Sequence, residues 1–501
     1  MVMPVETPGY AAMQAPSSYK YETVSEFVTN GTIFIYAGCR GRYDDSITFI
    51  AGAPWPVTDL KSAIRYIRYN SKLIPGDKDK IYTFGMSGGG AQSCLMGITG
   101  NSKLFTKYLE ENGAAMKDSE GNEIKDNVKG SQCWCPITNL DTADAAYEWN
   151  IGQYYFTDTR ADGNFTKLLS DDLTAEFVKY VNNIKLKDEK GNVLSLTETN
   201  KGTYYDYLKS VIEESLNNFL SDTKFPYTPS SNLGEYPRNG DGQGQGGGPG
   251  GFPGNGEKPN GEFTPKRRLE TTYNNASEYI SSKNSDYEWI SYDSSTNKAT
   301  INSVGDFAKH CKSPSKSVGA FDDLNRNQGE NKVFGISTKD KLKHFDQIMY
   351  DLLNKNSQKY SAKSDWKSNY PSDFLNDFAY EDSMGYNVTT RLNMYNPMYY
   401  LIDYYDGYKS SDVADYFRIN SGIFQSDTGN VVEMNLYLAL MNFGKNVKFT
   451  TVWEQKHVEA ERTGEANANF ISWIKEIESN NFSNFINIKY LVLLVSLLAL
   501  M

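Results

Sequence analysis

Histidine is the scarcest chemistry-bearing residue here, with His310, His344 and His457 alone among 501 residues. An imidazole base, if the chain uses one, is one of these three. Cysteine is nearly as sparse: Cys39, Cys94, Cys133, Cys135 and Cys311 make an odd set. Cys133 and Cys135 stand one residue apart, which fits neither a zinc knuckle nor a C-x-x-C redox pair, so no metal and no cofactor is expected. Positive charge is short as well. Fifty-one Lys and Arg against 62 Asp and Glu leave a net charge of -11, which excludes a long track along nucleic-acid phosphates. Long apolar runs are absent except at Tyr490–Met501 (YLVLLVSLLALM). As a helix that run reaches about 18 Å, against about 30 Å for a bilayer core. Following Ser479, Asn480, Asn481 and Ser483, it resembles a lipid-anchor addition signal, so membrane attachment through the tail is expected. Met1–Tyr10 has neither the charged nor the apolar part of a secretory leader. Asn30, Asn164, Asn275, Asn387 and Asn481 each head an N-x-[ST] triplet, which points to a secreted or cell-surface glycoprotein.

What is present is ordinary globular sequence, 39% hydrophobic and 23% charged, with length for roughly three domain-sized units. Its 36 Tyr are amphipathic rings suited to surfaces that meet sugars or phenols. Thr32–Ala37 (TIFIYA) reads as a buried strand. Pro56–Asn70 places Leu60, Ala63, Ile64 and Ile67 at helical spacing. Ile81–Phe84 is again strand-like, and Ala91, Cys94, Leu95 and Ile98 return to the helical period. Strand, helix, strand, helix predicts a mostly parallel sheet wrapped by crossover helices. Two further strands are predicted at Tyr416–Ile419 and Val447–Val452. The polar, Tyr/Lys/Asp-rich stretch 151–384 shows no such alternation and reads as an inserted cap. Within it Pro237–Pro265 is too poor in apolar groups to order itself. The expected layout is a first core part over 1–150, the cap over 151–384, a second core part over 385–476, and a linker with hydrophobic tail over 477–501.

Gly85-Met86-Ser87-Gly88-Gly89 is a G-x-S-x-G placed directly after a strand-like run and before a helical one. In that context the serine sits on a sharp strand-to-helix turn with its oxygen exposed, the nucleophile elbow of the α/β-hydrolase fold. Gly88 N–H is then placed to meet a developing oxyanion. His310 and His344 lie in polar cap sequence, whereas His457 follows the Val447–Val452 strand by a few residues, where this fold puts its base. The acid belongs between them in the chain order Ser, acid, His. Over Arg418–Thr428, Asp427 is the carboxylate after the strand. The expected site is Ser87 as nucleophile, His457 as base, Asp427 as acid and Gly88 as oxyanion donor.

Several longer stretches extend the pattern: Arg40-Gly41-Arg42, Asp59–Asn70 (DLKSAIRYIRYN), Cys135–Asp141 (CPITNLD) and Ala143–Trp149 (ADAAYEW). Arg418-Ile419 with Gly422, then Asp427-Thr428, Trp453, Gln455 and His457, continue it near the end. In these the chain resembles the bacterial-type tannase and feruloyl-esterase-like group of α/β-hydrolase serine esterases, over 9–150 and 390–476. The resemblance implies a secreted esterase acting on phenolic acid esters of plant polyphenol or cell-wall origin, with a cap inserted at 151–384; it also implies two or three strands ahead of a loop at Pro8–Tyr10, so the natural N-terminus, leader included, is expected to be missing from this chain. It also marks a departure. In that group an Asp three residues after the strand glycine orients the histidine, and a second acid two residues on contacts substrate; here those positions are Gln425 and Asp427. Glutamine accepts the Nδ1–H hydrogen bond but carries no charge to stabilise an imidazolium. The expectation is that Asp427 takes over as the orienting acid. The alternative is a weak or silent relative that binds phenolic or glycan ligands through its Tyr-rich cap. A lipase-like enzyme is disfavoured by the lack of a long apolar lid helix.

Overall fold

The computed structural model describes residues 1–18, 20–229 and 271–479. A five-stranded sheet lies at the centre: β1 (Val2–Val5), β2 (Tyr82–Met86), β3 (Gly130–Trp134), β6 (Tyr416–Gly422) and β7 (Asn446–Val452). They are hydrogen-bonded in that order and every pair is parallel. β1, β2 and β3 are buried at every position, as strands covered on both faces must be. Alternation along them divides the two faces. Val2, Tyr82, Phe84, Met86 and Trp134 meet Phe27 of α1 (Tyr21–Thr29) and Phe470, Ile471 and Trp473 of α11 (466–479). Met3, Val5, Cys133, Phe417 and Ile419 turn the other way, into the main core.

The main-core face is covered by α2 (Trp55–Tyr69), α3 (Gly88–Ile98), α4 (Ala143–Asn150) and α10 (Asn430–Asn442). On α2, Lys61 and Arg65 lie one turn apart and both grip Asp126, at 2.8 and 2.5 Å, with neither Lys61 nor Asp126 exposed. Arg40 likewise pairs with Asp59 at 2.5 Å. The recurring charges of the Asp59–Asn70 stretch thus clamp α2 in place. Removing one partner of such a buried pair costs about 3–5 kcal/mol, because the other charge is left uncompensated.

Between β3 and β6 the inserted stretch is mostly helical. It includes α5 (Phe165–Ile184), α6 (Thr203–Asp222), a hairpin of β4 (Ile290–Asp293) with β5 (Lys298–Ile301), α7 (Val304–Cys311), α8 (Gln347–Lys355) and α9 (Tyr370–Ala379). Phe165, Leu169 and Phe177 of α5 join Tyr147 and Trp149 of α4 in one continuous apolar cluster, so the insertion shares the core of the sheet.

One expectation changes, and one strand is new. Thr32–Ala37 is not a buried strand: it runs half-buried past the outer edge of β1 and makes one parallel bridge, Phe34 to Val2. A β-branched, aromatic run at an open edge needs pairing on one side only, and composition cannot tell edge from centre. Conversely, β3 forms from GSQCW, with only two apolar residues, because both its neighbours are strands. The stretch Pro237–Pro265 and the tail from residue 480 lie outside the described residues. Among those described, no helix is long and apolar enough to cross a membrane. All five cysteines are unpaired.

Candidate active site

One residue separates β2 from α3, and it is Ser87. Its backbone sits at φ 60°, ψ -125°, a conformation side-chain-bearing residues rarely adopt and that packing must enforce. The neighbours enforce it. A Cβ on Gly89 would stand 2.0 Å from Val5 O, and one on Gly85 would stand 2.6 Å from the Gly89 backbone. The elbow can close against β1 only because both are glycine. Ser87 N–H donates to Trp134 O at 3.0 Å, tying the turn to β3. Gly88 opens α3, so its N–H belongs to the first turn, which has no intrahelical acceptor. The loop Pro8–Tyr10 packs directly on it: a Cβ on Gly88 would lie 2.6 Å from Tyr10 N. Tyr10 in turn is fixed by a 2.6 Å hydrogen bond from its hydroxyl to Ile137 O.

His457 comes back to this elbow from beyond β7. Its Nε2 lies 2.7 Å from Ser87 Oγ. The loop after β7 is zipped to the loop after β6 by Ile423 N–H to Val452 O (3.0 Å) and Phe424 N–H to Gln455 O (2.9 Å). Gly422 allows this, since a Cβ there would stand 1.8 Å from Lys456 O and 2.5 Å from Gln455 O. Beyond the histidine, Arg418 of β6 pairs with Glu461 at 2.5 Å, and Asn420 donates to Ala460 O at 2.8 Å. The insertion adds a brace, with Tyr279 and Lys283 donating to Glu454 at 2.7 and 2.8 Å. His457 is therefore held on both sides. Burial pushes its pKa below the usual value; the Asp427 carboxylate works against this, and Lys316 adds to it.

The other ring nitrogen meets Gln425, not the acid expected from the sequence. His457 Nδ1 lies 2.7 Å from Gln425 Oε1, and Gln425 is fully buried. Asp427 stands farther off, its Oδ2 4.0 Å from Nδ1, with its side chain 48% exposed. The local turn explains the swap: Gln425 N–H closes onto Gly422 O at 3.1 Å and its side chain points inward, while Asp427 falls on the outer rim two residues later.

Behind Gln425 is a residue that the sequence reading does not include. Glu433, in the first turn of α10, is fully buried, and its Oε1 accepts hydrogen bonds from Gln425 Nε2 and from Ser421 Oγ (3.0 Å). The available signal is a lone carboxylate inside an apolar helical run, Val431-Val432-Glu433-Met434, since an unpaired acid is almost never fully buried. Burial raises Glu433 to about 8. From the insertion, Lys312 is also buried and donates to Gln425 O (2.6 Å) and Ile423 O (3.0 Å); burial lowers it to about 8. Ser313 N–H and Ser315 Oγ bond to Ser426 at 3.0 Å each, so the cap and the acid loop form one wall.

The remaining histidines are used elsewhere. His310 contacts Asp306 O at 2.8 Å and stacks on Trp289, and His344 is buried against Asp322 at 2.7 Å. Among the described residues, no group of three or more His, Cys, Asp or Glu could hold a metal ion.

Residues 11–185 match a family model described as BD-FAE. Among solved structures, the tannase of Fusobacterium nucleatum is 26% identical, with 95% of this chain and 85% of that one covered at a TM-score of 0.65. A tannin acyl hydrolase in complex with 3,4-dihydroxybenzoate is 25% identical, covering 95% and 84% at 0.65. The tannin acyl hydrolase of Lactobacillus plantarum, 23% identical over 95% and 84% at 0.64, shares the fold. No curated protein matches. The chain has the α/β-hydrolase fold and is similar to the tannase-like group, whose solved members are carboxylic ester hydrolases.

Proposed function

We propose that this chain hydrolyses phenolic acid esters, of galloyl or feruloyl type, through an acyl-enzyme on Ser87. The observation that carries the reading is the 2.7 Å approach of His457 Nε2 to Ser87 Oγ at a strained elbow. With Nδ1–H directed at Gln425 Oε1, Nε2 holds the lone pair and can take the serine proton. Oγ then attacks the ester carbonyl carbon, and charge moves onto the carbonyl oxygen, toward which Gly88 N–H is free to donate. Collapse expels the alcohol as His457 returns the proton to it. Water repeats the sequence on the acyl-enzyme, with His457 again as base, releasing the acid and freeing Ser87. Asp427, half-exposed at the rim beside the imidazole, is placed to accept hydrogen bonds from phenolic hydroxyls. Related tannin acyl hydrolases have been solved with 3,4-dihydroxybenzoate and with ethyl gallate, which supports an aromatic acyl group here. A panel of methyl gallate, methyl ferulate and methyl acetate tests the reading. The aromatic esters should be turned over with the higher kcat/KM, and equal or better turnover of methyl acetate removes the phenolic assignment.

Gln425 favours a second reading, a silent relative that binds phenolic ligands without turnover. Under it, p-nitrophenyl acetate gives no burst while methyl gallate still binds. The sequons at Asn30, Asn164, Asn275 and Asn387 support a secreted or surface glycoprotein, and an endoglycosidase-sensitive mass on the natively produced protein tests that part.

A further inference from the structure

We propose that Glu433 is the charged positioning residue of this site, acting on His457 through the Gln425 amide. The carboxylate of a Ser-His-acid arrangement then stands one side chain further back. The inference rests on the esterase reading above and adds the origin of the orienting charge.

A glutamine amide is ambiguous by itself, since either Oε1 or the NH₂ group can face a histidine. If the NH₂ faced Nδ1, His457 would have to accept there and carry its proton on Nε2, leaving no lone pair for Ser87. Gln425 is held the other way because its NH₂ meets Glu433 Oε1 and Ser421 Oγ, the latter at 2.7 Å. An ionised carboxylate only accepts. Its presence forces the NH₂ inward and Oε1 outward, and so fixes the productive tautomer of His457. The same negative charge, transmitted along a polarised amide in a dry interior, favours the imidazolium formed when Ser87 is deprotonated. Asp427 is less suited to this work, being half-exposed at 4.0 Å.

The surroundings suit a held but adjustable charge. Glu433 lies in the first turn of α10, where the helix dipole favours an anion. Its Oε2 is buried without a hydrogen bond. The titratable groups facing it are Lys312, at the end of α7, and Cys135, just past β3; those facing His457 are Asp427 and Lys316. Burial holds the Glu433 pKa up to about 8, against the pull of Lys312 and the Ser421 and Gln425 hydrogen bonds. A carboxyl raised in this way is neutral below that value and ionised above it. The lock on Gln425 therefore tightens as pH rises.

Two isosteric variants of the full chain separate charge from shape. Glu433→Gln keeps an acceptor for Gln425 and removes the charge. Gln425→Glu combined with Glu433→Gln exchanges the amide and the carboxylate. Wild-type kcat/KM on a p-nitrophenyl ester is expected to rise in two steps, one below pH 6.5 with His457 and one near 8 with Glu433. In Glu433→Gln the upper step should vanish and kcat/KM at pH 9 fall about tenfold, as for one remote charge at an effective dielectric of about 20. The exchanged double variant should regain at least the wild-type value at pH 7. A folded Glu433→Gln with the wild-type profile overturns the proposal, and so does a folded double variant no better than Glu433→Gln. Should Glu433→Gln fail to fold, the double variant and the wild-type upper step decide the matter. A wild type that neither hydrolyses esters nor labels at Ser87 overturns the esterase reading and this proposal together; an active wild type beside an unaffected Glu433→Gln overturns this proposal alone.

Discussion

Gly422→Ala is the most demanding perturbation of the histidine loop. The added methyl group would begin 1.8 Å from Lys456 O and 2.5 Å from Gln455 O. Real Cβ contacts stop at about 3.0 Å, so the backbone at Lys456 must retreat by about 1.2 Å. His457 is the next residue, and its Nε2 sits 2.7 Å from Ser87 Oγ. A displacement of that size carries the pair beyond hydrogen-bond reach. Misplacement by about 1 Å costs on the order of 10²-fold in rate, about 2.7 kcal/mol of barrier. The assay is kcat on p-nitrophenyl acetate beside a thermal melt. A fall of about 100-fold with a folded protein is expected. Activity within threefold of wild type would refute the claim that this glycine sets the position of the base.

Three further outcomes follow from the same geometry. Since burial lowers the His457 pKa, the neutral base persists into acid, and the acid limb of kcat/KM should have its midpoint below pH 6.5; a midpoint above 6.5 contradicts that environment. Asp126→Ala removes the carboxylate that clamps α2 and strands Lys61 and Arg65. It should cost about 3–5 kcal/mol in denaturant unfolding, and a loss under about 1 kcal/mol, the range of an exposed pair, would show the clamp to be unimportant. Asp427→Asn should leave kcat on p-nitrophenyl acetate within about tenfold of wild type, well short of the roughly 10⁴-fold loss that follows removal of a true orienting acid, while raising KM for methyl gallate. A fall in kcat of about 10⁴-fold would return the orienting role to Asp427.

The parts of this molecule that a short window of sequence decides are legible without coordinates. The elbow at Ser87 needs a strand, a helix and close-packed glycines, all within a short stretch, and Gly85 and Gly89 announce it. His457 emerges by elimination among three histidines and by its place after β7. What escapes depends on tertiary packing. Whether Gln425 or Asp427 reaches Nδ1 turns on how the chain curls after Gly422, and two residues of separation on a loop do not reveal which side chain points inward. Glu433 lies on the next element, eight residues from Gln425, and a pairwise view of the acid loop does not extend that far. β3 is hidden because a central strand can be built from Gly, Ser and Gln when its neighbours supply the ladder, while Thr32–Ala37 has every local mark of a strand and lacks a second neighbour.

The central claim is that Ser87 is a nucleophile activated by His457. Incubation with a fluorophosphonate and mapping of the adduct by mass spectrometry tests it most directly. One adduct is expected, on the peptide containing Ser87, abolished in Ser87→Ala and slowed at least about 100-fold in His457→Ala. Labelling that is absent in the wild type, or that persists in Ser87→Ala, would contradict it.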